Sequence, residues 1–209
     1  MAPAPDITFY ASVLSRSFAV RWMLAELDLP HRIVDTDIRR QKQKDPAYLR
    51  INPMGKVPAI TDGDVVVTET PAICLYLADR YGYGTLAPAH DDPARGPYFR
   101  WSVFATAVFE PGVYLREPAD PVHSRGRGWG DYETVVRVVE EAFTPGPWIL
   151  GERFSAADVI LGSVLSVALF NRLLPETEVL GAYNGRIAAR PAYQAARAAN
   201  WPPEAIAQA

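Results

Sequence analysis

The stretch "SVLSRSFAVRW", residues 12–22, sets Ser15, Arg16 and Ser17 directly ahead of an apolar run, just after a short strand-like "ITFYA". A guanidinium at Arg16 stabilises a negative charge by Coulomb attraction, and hydroxyls at Ser15 or Tyr10 do so by donating hydrogen bonds. A helix starting beside them adds the positive end of its dipole. The plainer alternative is that Ser15 or Ser17 caps that helix while Arg16 is solvated. Ser17, directly before Phe18, fits a cap better than a catalyst. Glu69 and Thr70 form a second cluster where strand becomes helix, ahead of Pro71. Thr70 is a natural N-cap. A helix N-terminus with free N–H groups and a hydroxyl also binds a carboxylate, and Glu69 can hold an ammonium group beside it, so the pair would grip an α-amino acid headgroup. Pro58 in "GKVPAI" suits an edge strand if its peptide bond is trans. A cis bond would turn the Val57 backbone outward, open to an extended ligand. Cys74 in "AICLYLA" lies on an apolar helical face and reads as an inert core thiol. His31, His90 and His123 are too scattered for metal-ligand spacing.

The elements that must position these groups change character near residue 85. "ITFYA" reads as a short strand and "HRIVDTDI" alternates like a second, with "SFAVRWMLAELDL" between them as a helix. The charged run "RRQKQKDPAYLRINPMG" carries no clear periodicity. "KVPAIT" and "VVVTET" are two short strands joined through Asp62 and Gly63, a hairpin signal. "PAICLYLADRYG" is a helix with Pro71 in its first turn and Gly82 at its stop. This order predicts a small α/β unit whose sheet mixes parallel and antiparallel strands. After the Pro- and Gly-rich "GYGTLAPAHDDPARG", alternation gives way to helical stripes in "PYFRWSVFATAVFEPGVYL", "DYETVVRVVEEAF", "SAADVILGSVLSVALFNRLL" and "LGAYNGRIAARPAYQAARAA". "REPADPVHSRGRGWG" reads as a loop, whose "SRGRG" run could border the mouth of a site.

At 209 residues, with 49% hydrophobic and 22% charged content, the chain can bury a core and hold one large or two small domains. A formal charge of −3 gives no broad basic footprint, which argues against nucleic acid or an anionic membrane as partner. The single cysteine excludes an intrachain disulfide framework and a cysteine-rich metal site, and it fits a reducing compartment. No signal peptide and no membrane-spanning run is evident, so a cytoplasmic location is expected.

The segment "INPMGKVPAITDGDVVVTETPAICLYLADRYG" closely resembles the glutathione-binding half of cytosolic glutathione transferases. They share N-P-x-G-K-V-P, a D-G turn, an acid–hydroxyl pair before the helix and Y-L-A at its end. "GERFSAADVILGSVL" resembles the family's capping-box motif, with Ser155 and Asp158 in its two positions. The resemblance implies a thioredoxin-like domain over residues 1–83 and an all-helical domain over 84–209, in a homodimer that uses glutathione as co-substrate and no metal. It further implies that the Val57 backbone pairs with the cysteine of glutathione, that Pro58 is cis, and that Glu69 with Thr70 holds the γ-glutamyl end. Lys56 then either reaches the glycine carboxylate or is an exposed surface lysine. Leu14, Phe104, Val108 and Phe109 would line the electrophile pocket, although aromatic residues on such a helix are core by default.

The spacing from Tyr10 to Arg16 resembles the tyrosine-type alpha class, whereas "SRSFAVRW" resembles bacterial classes, including the chi class, in which an arginine or serine has the activating role. The beta-class cysteine position aligns with Arg16, so no cysteine nucleophile is available there, and the resemblance implies Ser15, Arg16 and Tyr10 as the candidate thiol activators. Their task would be to lower a thiol pKa of ~8.5 by ~2 units, roughly 2.7 kcal/mol. The expected activity is attack of the glutathione thiolate on a hydrophobic electrophile. The alternatives are a non-catalytic binding or scaffold protein of the same fold, or a glutathione-dependent isomerase, lyase or peroxidase using the same site.

Overall fold

The strands β1 (Ile7–Ala11), β2 (His31–Asp35), β3 (Ala59–Asp62) and β4 (Val65–Thr68) form one mixed sheet in the order β2-β1-β3-β4. The computed structural model describes residues 5–115 and 126–207; His123 and the first two residues of "SRGRG" lie outside them. β1 runs parallel to β2, with α1 (Ser17–Glu26) as the crossover, and antiparallel to β3. The β3–β4 connection is the two-residue loop foreseen at the D-G signal. Gly63 supplies the positive φ, +56°, that a tight hairpin turn demands.

Successive side chains of β1 point to opposite faces. Phe9 is fully buried, with the Arg21 guanidinium of α1 5.5 Å from its ring centroid. Tyr10 faces the other way, its ring 5.7 Å from that of Tyr48 on the one-turn helix α2 (Pro46–Leu49). The charged run before α2 forms two 3-10 turns, Ile38–Arg40 and Lys42–Lys44. The helix α3 (Thr70–Tyr81) buries Ile73, Cys74, Leu77 and Ala78, an i, i+1, i+4, i+5 stripe. Helices α1 and α3 pack together, and the Cys74 thiol points at the Ala19 carbonyl, 3.9 Å away.

A second unit spans residues 83–190, and its named elements among the described residues are helices: α4 (Arg95–Phe104), a π-helical turn (Ala105–Phe109), α5 (Glu110–Tyr114), α6 (Tyr132–Phe143), α7 (Ala156–Phe170) and α8 (Glu178–Ala188). Every residue of α7 from Ala156 to Leu165 is buried, as expected of a helix that is apolar on nearly all sides. Asp158 in its first turn accepts from Ser155 N–H at 2.9 Å and Ser155 Oγ at 3.0 Å, in line with the capping-box reading. It also accepts from Ile149 N–H at 2.8 Å and the Tyr183 hydroxyl at 2.7 Å, which ties the preceding loop and α8 to α7.

The last helices depart from the sequence reading. The run 180–199, read as one helix, breaks before Pro191, which has no N–H to donate and whose ring excludes a continuous helix there. The helix that Pro191 begins, α9 (Pro191–Asn200), and the single turn α10 (Pro203–Ile206) belong to the first unit rather than to the helical one expected over 84–209. The physical reason is an aromatic cluster on α1. Phe18 lies 5.2 Å from Tyr193 and 4.7 Å from Trp201, and Trp22 lies 5.0 Å from Tyr193. Without α9, the fully buried Phe18 and Trp22 would lose these ring partners. Among the described residues no helix is long and apolar enough to cross a membrane.

Candidate functional site

The loop from β1 to α1 gathers three hydroxyls. Ser15 Oγ donates to the Ser12 carbonyl at 2.7 Å, accepts from Ser17 N–H at 3.1 Å and lies 2.9 Å from Ser17 Oγ, which accepts from Ser12 N–H at 3.2 Å. Ser15, and not Ser17, thus satisfies the first free N–H of α1. Ser17 is fully buried as the helix's first residue, and Arg16 is the exposed residue at the N-cap. Ser15 is half-buried. Leu14, also half-buried, adopts φ +53°, a left-handed conformation that costs an L-residue roughly 1–2 kcal/mol unless its surroundings hold it.

The segment leading into β3 is held just as closely. Tyr48 donates its hydroxyl to the Lys56 carbonyl, and Asn52 Nδ2 donates to the same oxygen at 2.9 Å. Burial pushes the Tyr48 phenol up to about 12, so it remains a donor at neutral pH. Asn52 Oδ1 also accepts from Met54 N–H at 3.1 Å, locking the N-P-M-G turn. These bonds fix the carbonyl of Lys56, whose side chain is exposed, just ahead of the half-buried Val57. The Val57–Pro58 peptide bond is cis. Tyr10 lies opposite Ala59 in the β1–β3 register, which brings it beside this same corner.

Glu69 is the N-cap of α3, one residue earlier than the cap read at Thr70, which instead starts the helix. Its carbonyl opens the helical ladder by accepting from Ile73 N–H at 2.9 Å. Glu69 has φ +67° and ψ +121°, a strained backbone for a residue with a Cβ, and it is exposed, with no capping bond from its side chain. A carboxylate aimed at solvent and a hydroxyl at a helix N-terminus are therefore adjacent, as an α-amino acid headgroup requires.

The four apolar residues expected around an electrophile differ in exposure. Leu14, Phe104 and Val108 are half-buried, whereas Phe109 shows no surface and packs within the helical unit. Among the described residues no three His, Cys, Asp or Glu side chains converge as a metal site would need.

Residues 15–80 match the family described as glutathione S-transferase, N-terminal domain. The chain is similar to glutathione S-transferase GstA of Escherichia coli O157:H7, at 30% identity over 187 residues covering 88% of this chain and 93% of that one. It is equally similar to the maleylacetoacetate isomerase of Pseudomonas aeruginosa, at 30% identity over 219 residues covering 93% and 96% of the two chains. Among solved structures it resembles a glutathione transferase homolog from Sulfitobacter with bound glutathione. There the TM-score is 0.71 and the identity 25%, over 92% of this chain and 97% of that one.

Proposed function

Because this chain belongs to the glutathione S-transferase family, we propose that its first unit binds glutathione and activates the thiol for attack on a hydrophobic electrophile. The observation that carries the reading is the half-buried Ser15 hydroxyl, 3.1 Å from the first N–H of α1 and next to the exposed Arg16. Glutathione lies along β3, its cysteine backbone paired with Val57 and its γ-glutamyl headgroup between Glu69 and Thr70; Lys56 serves the glycine carboxylate. The Ser15 proton turns from the Ser12 carbonyl to the bound sulfur, while Arg16 and the helix dipole favour the anion. The thiol proton leaves to solvent. With a chloronitroaromatic, sulfur forms the new S–C bond and chloride departs with the electron pair. Leu14, Phe104 and Val108 are the residues assigned to the electrophile, and Tyr10 stands as a second hydroxyl donor.

Calorimetry should give micromolar to millimolar glutathione binding. Arg16→Ala should raise the apparent pKa of the bound thiol, followed as thiolate absorbance against pH, more than it weakens binding. Absence of binding to the unaltered protein would sink the assignment, and an unchanged titration would return Arg16 to the solvated surface. A glutathione-dependent isomerase is the second reading, favoured by the isomerase relative; turnover of maleylacetoacetate in place of the chloronitroaromatic would select it. We also infer a cytoplasmic homodimer, closed two-fold pairs being the commonest assemblies. Light scattering should then read twice the 23.1 kDa chain mass, and the single-chain mass at micromolar concentration would refute it.

A further inference from the structure

We propose that Asn200, the last residue of α9, is a positioning residue for thiol activation: it clamps the Ser12–Ser17 loop from the far end of the chain. The proposal rests on the functional reading above. The Asn200 carbonyl accepts from Leu14 N–H at 2.8 Å, and its Nδ2 donates to the Ser15 carbonyl at 3.1 Å. One residue therefore holds both peptide groups that flank the Leu14–Ser15 junction, where Leu14 is in the left-handed region, φ +53°. Such a backbone persists only where its surroundings over-determine it, and these two bonds do so.

The amide looks chosen for donation rather than for filling space. Asn200 is fully buried, and its Oδ1 has no hydrogen-bond partner among the described residues, a cost that an apolar side chain of similar size would avoid. The clamp itself cannot drift. Trp201, the next residue, packs on Phe18, and Tyr193, two turns earlier, packs on Phe18 and Trp22. Ser15 Oγ takes its place from the backbone that Asn200 holds, and its bonds to Ser12 and Ser17 extend that placement through the loop. Thiol activation depends on where this oxygen stands, and a displacement of an ångström is enough to lose it. Glutathione binding rests instead on Val57, Glu69 and Thr70, which Asn200 does not touch.

The test compares Asn200→Ala and Asn200→Leu, which keeps a side chain of similar size, with the unaltered protein and with Arg197→Ala, an exposed change one turn earlier on the same helix. Both Asn200 variants keep the backbone acceptor and lose the donor, since neither alkyl side chain has a proton to give the Ser15 carbonyl. The expected result is a rise of about one unit in the apparent pKa of bound glutathione, with a roughly tenfold fall in kcat and less than a twofold change in the KM for glutathione. Arg197→Ala should match the unaltered protein. Asn200→Leu fills the buried space without an unpaired polar atom, so it keeps the test open if Asn200→Ala fails to fold. Either Asn200 variant titrating like the unaltered protein, or a loss confined to KM, overturns the clamp while the functional reading stands. If the unaltered protein shows no thiolate band with glutathione, that reading fails and the clamp with it.

Discussion

Ser15 has one proton and three neighbours that compete for its oxygen, and that competition defines its chemistry. Donation to the Ser12 carbonyl leaves the Ser17 hydroxyl to donate in turn to Ser15 Oγ. In the proposed reaction Ser15 would give up one acceptor for a charged one, and hydrogen bonds to charged groups are roughly twice as strong. Elsewhere a single carboxylate shows the opposite economy. Asp62 Oδ2 at the end of β3 accepts from the Tyr76 hydroxyl at 2.8 Å and the Tyr81 hydroxyl at 2.6 Å, and it pairs with Arg80 Nε at 2.9 Å. These donors, with the Arg80 charge, hold the buried carboxyl below its ordinary value against the opposing effect of burial. A depressed carboxylate contributes stability that is fully present above its unfolded pKa, about 3.9, and is lost as pH falls through the folded value. Asp62→Asn should therefore cost about 1–3 kcal/mol at pH 7, with the gap to the unaltered protein closing as pH falls below about 4. Denaturant unfolding at pH 7 and at pH 3 measures this, and an equal gap at both would refute it.

At the scale of elements, what the sequence disclosed was local. The short strands β1 to β4, the D-G hairpin, the stop at Gly82 and the Ser155–Asp158 box each depend on residues within a few positions of one another, and each is found. The Ser15, Glu69 and Thr70 clusters were legible for the same reason: they stand where strand meets helix. The cap of α3 shifted by one residue because Glu69 tolerates a positive φ that nothing in its side chain advertises. The Tyr48 and Asn52 clamp on Lys56 sits in a charged run without periodicity, although Asn before Pro in "INPMG" was a turn signal open to reading. The helix break before Pro191 was also within reach of a local rule. The partner of α9 was not. Its stripe of Tyr193 and Ala196 would suit any apolar groove, and only the rings of Phe18 and Trp22 decide which one it fills. Asn200 follows from that docking and stands 185 residues from the Ser15 that it holds.

The whole molecule carries one thiol, and its location decides which glutathione chemistry is open to the protein. Disulfide exchange needs a protein thiolate that attacks a disulfide sulfur, forms a mixed disulfide and expels the other sulfur as a thiolate. The start of α1, where such a sulfur would meet glutathione, holds Ser15, Arg16 and Ser17. Cys74 lies in the fully buried stripe of α3, and burial pushes its thiol far above the ordinary range, so both access and ionisation are denied. Conjugation is indifferent to this, because its sulfur belongs to glutathione, and reduction of a peroxide by activated glutathione is likewise open. Cys74→Ala should leave conjugation of a chloronitroaromatic essentially intact and lower stability by only about 1 kcal/mol for the lost packing. The unaltered protein should show negligible exchange with a glutathionylated substrate. Mass spectrometry that trapped glutathione on Cys74 during turnover, together with loss of activity in the alanine variant, would place the reacting sulfur inside the protein and overturn the assignment of Ser15 and Arg16 as the groups that serve it.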